Sequence, residues 1–161
     1  MEIAIISDTH LPRGSRTLPA ACLKRLERAD LIIHAGDLSR LEVLEQLRSL
    51  GEVVAVHGNV DEPQVRAALP EAALVRAGER RIAVVHDAGP ARNRLERLRA
   101  RFPEADAVIF GHSHIPLHEQ AADGFQMFNP GSPTDRRRQP HHTMGMCRAG
   151  ERLQFRLVEL D

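Results

Sequence analysis

Five short apolar runs in this chain each end in aspartate, asparagine or histidine. Ile3-Ala4-Ile5-Ile6 leads into Ser7-Asp8-Thr9-His10, Leu31-Ile32-Ile33 into His34-Ala35-Gly36-Asp37, and Val53-Val54-Ala55-Val56 into His57-Gly58-Asn59. Ile82-Ala83-Val84-Val85 leads into His86, and Val108-Ile109-Phe110 into Gly111-His112-Ser113-His114. Short aliphatic runs bounded by glycine and polar residues read as strands buried on both faces, as in parallel sheets covered by helices. The carboxyl ends of such strands lie along one edge, where open α/β folds bind their ligands. The pattern predicts one crevice fed by distant segments of the chain.

The intervening segments fit this reading. Helical patterns cover Pro19 to Arg28, Leu41 to Ser49, Glu62 to Leu69 (stopped by Pro70) and Ala91 to Arg101 (ended by Pro103). They alternate with strands at Ile3 to Ser7, Leu31 to His34, Val53 to His57, Arg81 to His86 (after a turn at Gly78) and Ala107 to Phe110, which is the mark of parallel strands with crossover helices. From Ile115 the style changes. Ile115 to Gln120 and Phe125 to Asn129 flank a turn at Asp123-Gly124, and Thr143 to Cys147 and Leu153 to Leu160 flank a turn at Ala149-Gly150. These read as antiparallel hairpins that close the sheet system. At 161 residues, 42% of them hydrophobic, the chain fits one domain over residues 1–161.

Composition removes several function classes. The 22 Lys and Arg balance 22 Asp and Glu, so no global positive field draws a nucleic-acid backbone or an anionic membrane. Trp and Tyr are absent, which leaves few stacking platforms for single-stranded nucleic acid. The amino terminus enters a strand directly without a basic leader, and no apolar stretch approaches the ~18 residues of a membrane span. Cys22 and Cys147 stand far apart without a CxxC pair, which fits a reducing compartment and argues against a zinc ribbon. The chain is read as cytoplasmic.

The candidate ligand set is Asp8, His10, Asp37, Asn59, His86, His112 and His114. Mixed imidazole and carboxylate suits manganese, nickel, zinc, iron or cobalt better than calcium. Seven donors exceed one tetrahedral site, and a carboxylate can bridge two ions about 3.5–4 Å apart; Asp37 is the candidate bridge. Two dications against two carboxylates leave the crevice net cationic, which favours a phosphate ester attacked by metal-bound hydroxide. No Ser nucleophile is needed, and the chain has no G-x-S-x-G elbow. The glycines before Asp37, Asn59 and His112 are read as sites of sharp turning and close backbone approach.

The blocks D-T-H (Asp8 to His10), G-D (Gly36-Asp37), G-N-V-D (Gly58 to Asp61), His86, G-H-S-H (Gly111 to His114) and N-P-G-S (Asn129 to Ser132) occur in order along nearly the whole chain. In them the sequence resembles the calcineurin-like metallophosphoesterases, most of all their small bacterial and archaeal single-domain phosphodiesterases. The resemblance implies an α/β fold, a four-layer α/β/β/α sandwich of two mixed sheets flanked by helices. It implies one metal on Asp8, His10, Asp37 and His114 and a second on Asp37, Asn59, His86 and His112, with Asp37, Asn59 and His86 serving the reaction. It further implies manganese or nickel dependence and relaxed cleavage of small phosphodiesters.

Two departures stand out. Larger family phosphatases carry a general-acid histidine directly after the G-N asparagine, where this chain has Val60; without that donor, diesters with good leaving groups are favoured. Related proteins often read H-G-H where this chain has His86-Asp87-Ala88, which makes Asp87 a candidate to orient a ligand or take a proton. The alternatives are a phosphomonoesterase for nucleotides or small metabolites, and a binding scaffold of the same fold, as in the retromer subunit. A homo-oligomer is left open.

Other polar residues have plainer readings. His34 and His57 precede the ligand turns and read as core or supporting groups, His118 as exposed, and His141 and His142 as solvated. The N-P-G-S block reads as a tight turn under the site. Arg136, Arg137, Arg138 and Arg13 are candidate phosphate contacts, with a solvated loop as the simpler account.

Overall fold

The computed structural model describes residues 1–161. Glu2–Ile6 (β1), Leu31–His34 (β2) and Val53–Ala55 (β3) are parallel neighbours, joined through helices Ala20–Leu26 (α1) and Leu41–Leu50 (α2). The hairpin of Thr143–Ala149 (β9) and Leu153–Glu159 (β10) pairs antiparallel with the free edge of β1, which completes a five-stranded sheet in the order β10-β9-β1-β2-β3. After helix Pro63–Ala68 (α3) the chain enters a second sheet. Ala72–Ala77 (β4), Arg80–Val85 (β5), Ala107–Ile109 (β6), Leu117–Gln120 (β7) and Gln126–Asn129 (β8) lie in the order β4-β5-β6-β8-β7, with helix Arg94–Arg101 (α4) between β5 and β6. Here β5, β6 and β8 are parallel, and β4 and β7 form antiparallel edges.

Three apolar clusters make the layers. Period-2 alternation sends Ile3 and Ile5 of β1 inward, where they join Leu31, Ile33, Val84, Ile109 and Phe128 between the two sheets. Ala4 and Ile6 face the other way and pack with Cys22, Leu26, Leu44, Leu47 and Val65 of α1, α2 and α3. On the far side Leu98 of α4 covers Val85, Val108 and Phe110. The result is the α/β/β/α sandwich anticipated from the resemblance.

The structure corrects two details. The five strand ends do not share one sheet: β1, β2 and β3 belong to the first and β5 and β6 to the second. Ala72–Ala77 is also a strand that periodicity did not reveal. Three alanines and an arginine give it little intrinsic β preference, and its pairing with β5 across the two-residue loop Gly78-Glu79 makes it a strand. No helix is long and apolar enough to cross a membrane.

Phe128 is fully buried between the sheets and stacks on Phe155 at 4.8 Å between ring centroids. Truncation there removes the largest inter-sheet side chain. Phe128→Ala should cost about 3–5 kcal/mol of unfolding free energy, read from a denaturant melt.

Candidate metal centre

The backbone ladder of the first sheet continues past its strands. Ala35 N–H donates to Ile6 O and Asp8 N–H to Gly36 O, both at 3.0 Å, and His10 N–H donates to Asp37 O at 3.1 Å. The loops after β1 and β2 therefore run side by side. In the second sheet Gly111 N–H donates to His86 O at 3.0 Å. At Asp8, His10, Asp37, His112 and His114 the backbone is left-handed, with φ of 55°, 45°, 60°, 70° and 59°. That conformation costs an L-residue about 1–2 kcal/mol, and such outliers gather at functional sites.

Three glycines make the convergence possible. A Cβ on Gly36 would lie 2.6 Å from His86 Nδ1, one on Gly58 would overlap Asp37, and one on Gly111 would overlap Ser7 and Asp8. Of the three, only Gly36 also turns left-handed, at φ 97°. The anticipated close approach holds at all three positions.

Two groups of donors result, Asp8 with His10 and His114, and Asp37 with His86 and His112. In the first, His10 Nε2 and His114 Nε2 are 3.2 Å apart, and Asp8 Oδ1 is 3.9 Å from the one and 3.6 Å from the other. In the second, His86 Nε2 is 3.2 Å from Asp37 Oδ2 and 3.1 Å from Asn59 Oδ1, which is also 3.1 Å from His112 Nδ1. The groups touch through their carboxylates: Asp37 Oδ2 is 3.7 Å from His10 Nε2, and Asp8 Oδ1 is 3.9 Å from His86 Nε2. All seven residues singled out in the sequence meet here.

The donor chemistry fits cations. His86 Nδ1–H donates to Ala35 O at 2.8 Å, and His114 Nδ1–H to Asp135 O at 2.5 Å. In the neutral tautomers that these bonds select, both Nε2 atoms are bare lone pairs aimed at carboxylate or amide oxygen. Acceptors facing acceptors need a cation or a proton between them. Burial raises the Asp8 carboxyl to about 7 against the pull of His86 and the Ser7 hydroxyl. Burial alone would lower His86, but its bond to Asp37 and the charges of Asp8 and Asp37 raise it. Burial works against the Asp37 carboxylate as well, yet the His86 contacts and the Val60 N–H bring it below the usual range. Burial lowers His10 and His114, which keeps both imidazoles neutral and ready to ligate.

Supporting groups hold the ligand loops. Asp61, in the G-N-V-D block but given no role from sequence, is buried; its Oδ2 accepts from Asp37 N–H at 3.1 Å and Gly58 N–H at 2.6 Å, and its Oδ1 from Ser39 N–H at 2.6 Å. A short acid three residues after a glycine turn is the signal that could have found it. His34 is fully buried, accepts Gly36 N–H on Nδ1 at 3.1 Å and donates from Nε2 to Thr9 Oγ1 at 3.0 Å. Burial drives its pKa down to about 3, so it is a neutral strut. Asn129 Nδ2 donates to Gly111 O and Ser113 Oγ, both at 3.1 Å, while its Oδ1 caps Gly131 N–H at 2.9 Å.

Asp87 is exposed and caps Gly89 N–H at 2.8 Å, a turn-forming role away from the ligands. His57 is half-buried with Nδ1 unbonded, and His118 is exposed. His142 Nδ1 pairs with Asp161 Oδ2 at 2.8 Å, and His141 lies 3.8 Å from Glu159 and Asp161. Arg13 is exposed.

Residues 1–151 match the calcineurin-like phosphoesterase superfamily domain. A relative from Methanocaldococcus jannaschii that bears the name probable metallophosphoesterase is 34% identical over 164 residues, covering 100% of this chain and 82% of that protein. Wild-type Vps29 from Entamoeba histolytica, solved as a zinc complex, superposes with a TM-score of 0.79 at 24% identity over 100% of both chains. A structure described as a novel archaeal phosphodiesterase gives a TM-score of 0.75 at 22% identity, over 99% of this chain and 100% of that one. The last two likenesses concern the fold alone.

The raised Asp8 carboxyl sets a pH dependence. Below pH 7 an incoming cation must displace the Asp8 proton and, because His86 is raised as well, the His86 proton, so affinity should fall by at least about tenfold per pH unit. The curve should flatten once Asp8 and His86 have both lost their protons. Calorimetric manganese titrations from pH 5.5 to 8.5 measure this, and a level profile would contradict it.

Proposed function

This chain belongs to the calcineurin-like phosphoesterase superfamily, and on that footing we propose that it is a metal-dependent phosphodiesterase acting on small phosphodiesters. The observation that carries the reading is the pair of donor groups joined through Asp8 and Asp37. Asp8, His10, Asp37 and His114 would hold one divalent transition-metal ion and Asp37, Asn59, His86 and His112 the other, with manganese the first candidate. Bound there, the ions would lower the pKa of water from 15.7 toward about 7 and neutralise phosphoryl oxygens.

The chain's own groups supply position. His86 Nε2 lies 3.2 Å from Asp37 Oδ2 and 3.1 Å from Asn59 Oδ1, and these three residues would position the ion beside which the phosphoryl group reacts. His86 and His114, held by backbone carbonyls, keep their lone pairs inward through turnover. In the reaction water adds to phosphorus and one ester P–O bond breaks, leaving an alcohol and a phosphomonoester.

Val60 supports the diester assignment. It lies directly after Asn59, 49% exposed, where a general acid would stand in larger relatives. No side-chain proton reaches the leaving oxygen from that position, so aryloxide leaving groups are favoured. The archaeal phosphodiesterase among the structural neighbours is consistent with this class. The second reading is a protein-interaction scaffold built on the fold that Vps29 shares.

Manganese-loaded protein should hydrolyse bis(p-nitrophenyl) phosphate, and inactivity with manganese, nickel, cobalt and zinc, together with no ion by elemental analysis, would favour the scaffold. Asp37→Ala should lose both ions and at least about a hundredfold in rate, whereas Val60→Ala should retain both. Val60→His should raise hydrolysis of an alkyl monoester such as glycerol 2-phosphate, read as released phosphate, by about 10²-fold, the lower end of general acid catalysis, and should change p-nitrophenyl phosphate, whose leaving group needs no proton, far less. An unchanged alkyl monoester rate would remove the missing-acid account of the diester preference.

A further inference from the structure

The loop after β8, residues 130–139, enters the reading above only through the Asp135 carbonyl that holds His114, yet it is fastened to the candidate metal centre at further points. Ser132 Oγ–H donates to Asp8 O at 2.8 Å, Thr134 Oγ1–H to Thr9 O at 2.7 Å, and Asp135 O accepts His114 Nδ1–H at 2.5 Å. Ser132 and Thr134 are buried. The loop is therefore as fixed as the ligands it touches.

Its three consecutive arginines are not equivalent. Arg136 Nη1 donates back into the loop, to Gln139 O at 2.6 Å. Arg137 and Arg138 are both exposed without an intramolecular partner, and of the two only Arg137 has left-handed backbone, φ 49°. Arg137 lies two positions beyond the residue whose carbonyl orients His114, a span of about 7 Å at full extension, within reach of an arginine side chain. Its positive charge is felt at both His10 and His114, where it opposes protonation.

Arg16, which the sequence did not single out, approaches the same loop. Its Nη1 lies 3.6 Å from Asp135 Oδ2, is itself buried and makes no hydrogen bond. Its charge also reaches His10. The residue following the second donor group is the apolar, exposed Val60. On the His10–His114 side of the centre two guanidinium groups, Arg137 and Arg16, stand against the single Asp135 carboxylate, which leaves one positive charge over; beside Asn59, Val60 is joined by Arg66, whose Nη1 donates to Asn59 O at 3.3 Å.

A guanidinium matches the paired oxygens of a phosphate. The chain has no net charge, so these arginines are a local feature rather than part of a general basic surface. A simple diester has one anionic group, which the metal pair would take, leaving nothing for Arg137. We propose that the substrate is a small phosphodiester bearing a second phosphate, and that Arg137, backed by Arg16, is the specificity-determining residue that binds this second phosphate. The assignment rests on the phosphodiesterase reading given above.

Two matched esters test it: thymidine 5′-(p-nitrophenyl phosphate) with and without a 3′-phosphate, which share one leaving group. The manganese-loaded protein should prefer the 3′-phosphorylated ester about tenfold in kcat/KM, through KM, the size of one charge-assisted hydrogen bond at a partly exposed site. Arg137→Asn keeps a residue that tolerates the left-handed backbone, and in it the ratio of the two esters should fall to near one. A wild-type ratio under about twofold, or a ratio that survives the substitution, overturns the proposal. Should neither ester turn over with any of the four metals, the phosphodiesterase reading fails while the clamp is still measurable. Calorimetric binding of thymidine 3′,5′-bisphosphate should then be about tenfold weaker in Arg137→Asn, and equal affinities overturn the clamp. Tighter binding of decathymidylate than of the bisphosphate at equal salt would assign the grip to a nucleic-acid strand and overturn the small-substrate class.

Discussion

The candidate centre depends on strand ends that leave the extended conformation at the ligand positions themselves. Asp8, His10, Asp37, His112 and His114 each take a left-handed backbone, at about 1–2 kcal/mol apiece. Strain of that order is comparable with the net stability of a small domain, so it persists only where neighbours over-determine it. Here the neighbours are the continued ladder between the β1 and β2 loops, the three amide bonds to Asp61, and the closely packed Gly36, Gly58 and Gly111. The two sheets beneath supply the rigidity: three buried clusters leave the strand ends little freedom to relax.

Electrostatics compounds the backbone constraint. Two buried carboxylates and inward lone pairs face one another within 4 Å. Against them the chain sets few donors: the Ser7 hydroxyl and the His112 N–H on Asp8, and the Val60 N–H on Asp37. An arrangement so rich in acceptors is costly unless a cation shares the space. Neutral His34 behind the ligands adds no competing charge, because burial keeps it from taking a proton.

Much of this was legible in the sequence because strand ends are punctuated. An aliphatic run followed by polar residues is a local signal that all seven ligand candidates carried, and a glycine directly before Asp37, Asn59 and His112 strengthened it at those three. The distribution of the strands over two sheets was not local: the resemblance implied two sheets without assigning a strand to either, and nothing in the text of Val53–Ala55 and Arg80–Val85 places them in different layers. Ala72–Ala77 escaped notice because its pairing partner, rather than its own residues, makes it a strand. Asp61 and Arg16 were passed over for a related reason. Arg16 acts on a carboxylate more than 100 residues away, of which spacing along the chain carries no trace, and for Asp61 the Gly58 turn three residues earlier is a local sign that does not reveal the bonds to Asp37 and Ser39.

The division of the strand ends between two separately hydrogen-bonded sheets has a thermodynamic corollary. Asp8, His10 and Asp37 come from one sheet and His86, His112 and His114 from the other. A cation held among them would act as a rivet through both layers, present in the native state and without counterpart in the unwound chain. By mass action such a rivet deepens the folded basin in proportion to the logarithm of the free ion concentration. The melting temperature would then report the composition of the buffer as much as that of the polypeptide.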